Sequence, residues 1–169
     1  MKRILPLVLL CILLCGCAGG SKQKDPLKNL SEITFSTDGL VCVLTIHDGG
    51  CTFGFQEPKA LKELTVVYDG KEMTARYGKI ETKVPDSFLG RILPVYQLIN
   101  AFKDNSPEQS EENIRRIGID EREFLLYYDA ESDRITRLEV KGADGAYSYD
   151  VLSYIEHDNT KSAGSDLYP

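Results

Sequence analysis

The feature that most limits the fold of this chain is a period of two in its apolar residues. Apolar and polar residues alternate in short segments over residues 30–84 and 114–155, a pattern typical of half-buried β-strands. Asp48-Gly49 separates two such segments and is a strong signal for a two-residue hairpin turn. Asp69-Gly70 separates the next pair in the same way. The pattern predicts a mostly antiparallel sheet built from consecutive hairpins.

One segment, residues 86–103, has the period of a helix instead. Its apolar residues recur at intervals of three or four and form one wide face: Phe88, Ile92, Val95, Ile99 and Phe102. So wide a face predicts a helix packed against the sheet, which makes the fold α+β. Pro94 lies inside the segment and should kink or split the helix. The helix is either a mobile lid over an apolar groove or an ordinary core helix with a bend.

The N-terminus predicts export and lipid anchoring. Lys2 and Arg3 precede a short apolar run, and Leu14-Cys15-Gly16-Cys17 resembles the lipobox of bacterial lipoproteins. We therefore expect a signal peptide over residues 1–16, lipidation of Cys17 and a tether over residues 17–29. The alternatives are an uncleaved membrane helix, for which the run is short of the roughly 20 residues needed, and a signal cut elsewhere.

Charge and length narrow the function classes. The 169 residues suit one domain, which we place at residues 30–156 with a flexible tail at 157–169. The chain has 20 basic and 26 acidic residues, a net charge of −6, which argues against binding the phosphates of nucleic acids. Residues 104–113 (DNSPEQSEEN) are predicted to form an acidic loop.

Two cysteines, Cys42 and Cys51, remain in the predicted domain. If Asp48-Gly49 closes the hairpin, Ile46 faces Cys51 and Cys42 faces Phe55, about 13 Å of ribbon away from Cys51. That separation exceeds the roughly 7 Å reach of a disulfide between Cα atoms. We expect two buried thiols, although a shifted register could bridge them.

Residues that could carry catalysis or hold a metal are sparse. Nucleophile, zinc-protease and nucleotide-binding motifs are missing from the sequence, and His47 and His157 are its only histidines. The segment from Asp129 to Val140 lacks the glycine and the bidentate glutamate of a calcium loop, so we interpret its start as a hairpin turn. The sequence predicts a protein that is not an enzyme and has no cofactor and no metal site.

The strand-rich segments resemble those of the LolA/LolB-like lipoprotein-carrier superfamily, including clostridial germination-type lipoproteins. Three segments carry the resemblance: YYDAESDRITRLEV at residues 127–140, GADGAYSYDVL at 142–152 and LTVVYDGKEM at 64–73. The resemblance implies a curved half-barrel sheet, mostly antiparallel, with a helix packed in its concave face. In the carriers that concavity holds acyl chains.

On this basis the chain is predicted to be a membrane-anchored extracytoplasmic lipoprotein that binds a lipid or another apolar ligand. The alternative is a protein-interaction lipoprotein that positions or activates an envelope or cell-wall enzyme. An open apolar cavity between helix and sheet would favour the ligand, and a packed core would favour the protein partner. The candidate groove residues are Phe88, Ile92, Val95, Tyr96, Ile99, Phe102, Phe53 and Phe55.

Overall fold

A computed structural model describes residues 27–105, 108–111, 113–143 and 145–156 of the chain, with residues 108–111 described by their backbone. The predicted signal peptide, Cys17, the tether up to residue 26 and the tail at 157–169 lie outside these ranges. Within them, every helix is too short or too polar to cross a bilayer.

The described residues form one open sheet, and every pair of neighbouring strands in it is antiparallel. Its strands in chain order are β1 Leu30–Thr37, β2 Leu40–His47, β3 Gly50–Glu57, β4 Leu64–Tyr68, β5 Met73–Tyr77, β6 Ile80–Val84, β7 Glu108–Glu111, β8 Ile114–Ile119, β9 Arg122–Tyr128, β10 Ile135–Gly142 and β11 Gly145–Glu156. Across the sheet the order is β6-β5-β4-β3-β2-β1-β11-β10-β9-β8-β7, so β6 and β7 are its edges. The pairing of β1 with β11 joins the first and last strands and holds the two halves together.

The hairpins at the centre of the sheet confirm the local prediction. Ile46 pairs with Cys51 and Cys42 with Phe55, as the Asp48-Gly49 turn requires. Both thiols are free and buried. Asp69-Gly70, in contrast, belongs to a four-residue loop, because Tyr68 pairs with Met73. The Asp69 carboxylate accepts hydrogen bonds from the backbone amides of Lys71 and Glu72, at 2.9 and 2.8 Å, which stabilises the longer turn.

The predicted α+β half-barrel with a helix filling its concave face is wrong. The structure is an eleven-stranded open antiparallel sheet, and the only α-helix among the described residues, α1, spans 12 residues, Leu93–Asp104. The apolar pattern predicted a helix over residues 86–103, and the observed helix starts later. Proline has no backbone N–H to donate, so it does not fit the interior of a helix. Pro94 therefore lies in the first turn of α1, where that amide would have no partner. The preceding residues form a short 3-10 turn, Asp86–Phe88, and Gly90 takes a positive φ of 32°.

A second correction concerns the acidic loop predicted at residues 104–113. Its first residue ends α1, and residues 108–111 form the edge strand β7, which pairs with β8. Neither the charge nor the composition of DNSPEQSEEN favours a strand. Pairing with β8 supplies the hydrogen bonds that the local sequence does not predict.

The burial of the two cysteines leads to a prediction about their reactivity. Desolvation raises the pKa of Cys42 and of Cys51 to about 12. At pH 8 about one thiol in ten thousand is then the reactive thiolate. We expect peptide-mapping mass spectrometry to find both unmodified by iodoacetamide in the folded protein and modified within minutes in urea. Rapid modification without urea would contradict the burial of these thiols.

Candidate functional site

The predicted groove residues lie mostly in the main core. Phe53, Val95, Ile99 and Phe102 are fully buried, and Phe55 and Ile92 are nearly so. Tyr96 is partly buried, with its ring edge-to-face against Tyr68 at 5.9 Å between centroids. Phe88 lies apart from them and is 48% exposed. Their contact with a ligand stays a prediction, and their packing against one another favours a structural role.

Polar contacts hold α1 and the segment before it against the sheet. The Lys103 ammonium donates to the carbonyl of Leu30 at 3.2 Å, and desolvation lowers the pKa of this lysine. The Arg122 guanidinium donates to the Gln97 side chain at 2.8 Å. These bonds tie α1 to β1 and to β9, which belong to different halves of the sheet. Such contacts in the middle and at the C-terminal end of α1 argue for a fixed helix over a mobile lid.

A buried tyrosine fixes the segment that leads into α1. The Tyr149 hydroxyl donates to the carbonyl of Arg91 at 2.5 Å, and its ring meets Phe35 edge-to-face. Burial raises the pKa of Tyr149 because the charged phenolate would lose its hydration. The Arg91 side chain in turn pairs with Asp38 at the β1–β2 turn.

Open space borders the core in several places, and one predicted groove residue, Tyr96, lines a depression of about 560 Å³ beside Lys103. A depression of about 640 Å³ lies between the end of α1 and the β8–β9 hairpin. Its lining is Gln97, Ala101, Asp104, Asn105, Ile119, Asp120, Glu121, Arg122 and Phe124. It shares no residue with the predicted groove, and three carboxylates border it, which suits an acyl chain poorly.

The face of β11 away from the core carries two exposed apolar side chains. Leu152 and Ile155 are each 57% exposed, and both lie beyond Asp150, the last residue of β11 that has a partner in β10. Ile155 pairs with Glu32 on the outer face, while Ile33 and Phe35 of the same strand point into the core. The register of β1 and β11 shifts at Leu152, which is the extra residue of a β-bulge. We call Leu152 and Ile155 the β11 patch.

A small depression adjoins the β11 patch. It has a volume of about 270 Å³, and Leu152 forms part of its wall with Asp129 and Arg134 of the β9–β10 turn. The Asp129 carboxylate accepts hydrogen bonds from the hydroxyl and the amide of Ser132, at 2.8 and 2.9 Å. The bonds from Ser132, with a third from the Glu131 amide, lower the pKa of Asp129. These bonds hold the Asp129 carboxylate within the turn, and the depression offers an apolar wall beside charges of both signs.

The sequence prediction did not identify the β11 patch. Its one local signal is the adjacent pair Val151 and Leu152, which breaks the alternation of apolar and polar residues in the last strand. Two apolar neighbours cannot both face the core of a regular strand. A bulge resolves the conflict by leaving Leu152 outside.

The titratable residues offer no metal site in the part of the chain that the structure describes. Within the ranges given above, no three His, Cys, Asp or Glu side chains come together to hold an ion. His47 lies at the β2–β3 turn, exposed, and its ring nitrogen is 3.1 Å from the Thr52 hydroxyl. The Asp129 segment forms a hairpin turn, as the missing calcium ligands predicted.

Comparison with known proteins gives limited guidance. Neither a scan against known protein families nor a search of curated proteins finds a match. Among solved structures, the chain is similar to the GerS lipoprotein, solved in complex with the CwlD amidase from Clostridioides difficile. The match has 16% sequence identity and a TM-score of 0.40, and it covers 76% of this chain and 81% of that chain. The neighbour is a clostridial lipoprotein and not a LolA or LolB carrier, and the overlap is too loose to transfer a fold or a partner.

Proposed function

We propose that this chain is a membrane-anchored, extracytoplasmic lipoprotein that binds a protein of the cell envelope through the β11 patch. The observation that carries the proposal is the distribution of apolar side chains. Those predicted to line a lipid groove are mostly used by the core, whereas Leu152 and Ile155 are exposed near the end of β11. Exposed apolar surface with polar groups at its rim is typical of protein interfaces.

The anchor part of the proposal rests on the lipobox-like Leu14-Cys15-Gly16-Cys17. Two or three acyl chains on Cys17 would hold the domain at a bilayer, since one chain gives only marginal binding. The proteins within reach are then those of the envelope. Labelling with a palmitate analogue should mark the chain and should fail for Cys17→Ala.

The second part of the proposal predicts that the binding of a partner protein requires the β11 patch. We expect cross-linking from membranes, followed by mass spectrometry, to recover one dominant envelope protein with the full chain. Leu152→Asp and Ile155→Asp should each lower its recovery at least about tenfold, because a charge would have to be buried in the interface. A panel of purified envelope proteins, including an amidase, would then test direct binding.

Phe88→Asp is the matched control, because Phe88 is also an exposed apolar residue but lies outside the β11 patch. It should leave recovery unchanged, and all three variants should unfold at the same temperature as the parent chain. Equal recovery with Leu152→Asp would reject the docking surface. A stoichiometric lipid on the purified chain in native mass spectrometry would favour the ligand hypothesis instead.

A further inference from the structure

The edge strand β6 carries charges of opposite sign on one face. Glu81 and Lys83 alternate with Ile80, Thr82 and Val84 and lie on the outer face of the sheet. Within the chain, Arg76 Nε is 2.8 Å from Glu81 Oε2, and Lys83 Nζ is 2.6 Å from Glu72 Oε2. All four side chains are more than half exposed, so a further charge can approach from the free side of β6.

Two residues of β6 have backbone N–H and C=O groups that could pair with another strand. Gly78 and Lys79 form a two-residue turn in which Tyr77 pairs with Ile80, and such a turn closes on a hydrogen-bonded pair. Hydrogen bonding to β5 then falls on Ile80, Thr82 and Val84. The N–H and C=O groups of Glu81 and Lys83 point to the free edge. Among the residues that the structure describes, the Lys83 carbonyl accepts only a long 3.4 Å bond, from the Thr82 hydroxyl.

These directions restrict how β6 could pair antiparallel with β6 of a second copy. Only Glu81 and Lys83 can form the hydrogen-bonded pairs, which leaves three registers. Two of them place Glu81 opposite Glu81 or Lys83 opposite Lys83, and like charges directly opposite repel. The third register is centred on Thr82. It places Glu81 of each copy opposite Lys83 of the other copy. Charge therefore selects one register from the three.

We propose that two copies of this chain pair through their β6 edges, antiparallel about Thr82, into one continuous sheet. On the outer face, Arg76 and Glu81 of one copy line up with Lys83 and Glu72 of the other. Positive and negative charges therefore alternate across the seam. On the inner face Ile80, which is 69% exposed in the single chain, lies opposite Val84 of the second copy. Charged residues often protect a sheet edge from pairing. Here, however, Glu81 and Lys83 each meet a residue of opposite charge in the second copy.

The other edge of the described sheet does not suit a second copy in this way. β7 has the sequence EQSE, which contains no basic residue to pair with an acidic one. A β6–β7 contact is the competing arrangement, and it would lead to open chains of molecules because each copy keeps a free edge. The two arrangements place different residues opposite Thr82.

Disulfide trapping of the full chain in its membrane tests the seam. In the proposed register the two Thr82 Cα atoms lie about 4.5 Å apart, within the range of a disulfide. Under mild oxidation Thr82→Cys should give a covalent dimer. The parent chain and the single variants Ile80→Cys, Glu81→Cys, Lys83→Cys and Val84→Cys should give at least about tenfold less, because each of these residues faces a different residue in the second copy.

Charge reversal separates a specific seam from random collision. Added to Thr82→Cys, either Glu81→Lys or Lys83→Glu should lower the dimer yield roughly tenfold, since two opposite-charge pairs become like-charge pairs. Co-expression of these two double variants should restore the yield, which a folding defect would not allow. Dimers at Glu81→Cys in place of Thr82→Cys, no dimer at any position, or no rescue would each overturn the proposal.

Discussion

Phe102→Ala is expected to lower the free energy of unfolding by about 3–5 kcal/mol. Phe102 is fully buried in the core cluster, on the face of α1 that points to the sheet. Truncation removes most of an aromatic side chain and leaves a cavity that rigid neighbours fill only in part. Urea denaturation followed by circular dichroism would measure the change as a lower transition midpoint.

Phe88→Ala is the matched control for this prediction. The substitution is the same, but Phe88 is 48% exposed and precedes α1, so the expected change is within about 0.5 kcal/mol. The pair also tests the predicted groove. If Phe102 lined an open groove, its truncation would weaken ligand binding with little loss of stability. A loss below about 1 kcal/mol for Phe102→Ala would therefore reject the packed core.

Gly50→Ala should cost about 1–3 kcal/mol or more because it adds a methyl group where two backbones meet. A Cβ at Gly50 would clash with the carbonyl oxygen of Tyr68 and lie 3.0 Å from the Cα of Asp69. Neither atom belongs to a flexible side chain, so β3 and β4 would have to move apart. Thermal and urea unfolding should both report the loss.

Gly54→Ala provides the comparison within the same strand. A Cβ there meets nothing within 4 Å, and Gly54 pairs with Val43 and Thr65 in regular register. Alanine should be neutral or stabilise the protein by up to about 1 kcal/mol, since it reduces the freedom of the unfolded chain. Equal destabilisation by both substitutions would mean that β3 does not approach β4 as the structure has it.

Local turn chemistry explains which parts of the fold were predictable. Asp48-Gly49 fixed the β2–β3 register, and with it the separation of Cys42 from Cys51, because a two-residue turn leaves one pairing. The helix was less predictable. Its apolar period runs through residues 86–92, but Pro94 and Gly90 favour a start at Leu93. The period of the apolar residues indicates which of them are buried, but it does not show whether they lie in an α-helix or in turns.

The β11 patch and the β6 edge were beyond the sequence prediction for a different reason. Leu152 is exposed because β11 bulges against β1, a pairing between strands more than a hundred residues apart in the chain. The free edge of β6 depends on which strand lies next to it, and that follows from the order of all the strands. Neither the β1–β11 pairing nor the order of the strands can be read from a short stretch of sequence.

By itself, the sequence determined the antiparallel hairpins, the burial of the two thiols and the apolar face of α1, because turns and side-chain periods act over a few residues. The tertiary structure decided that the sheet stays open, that α1 begins at Leu93, and that residues 108–111 join the sheet as an edge strand. These outcomes depend on long-range pairing, in which strands distant in sequence satisfy each other's hydrogen bonds and cover each other's apolar faces.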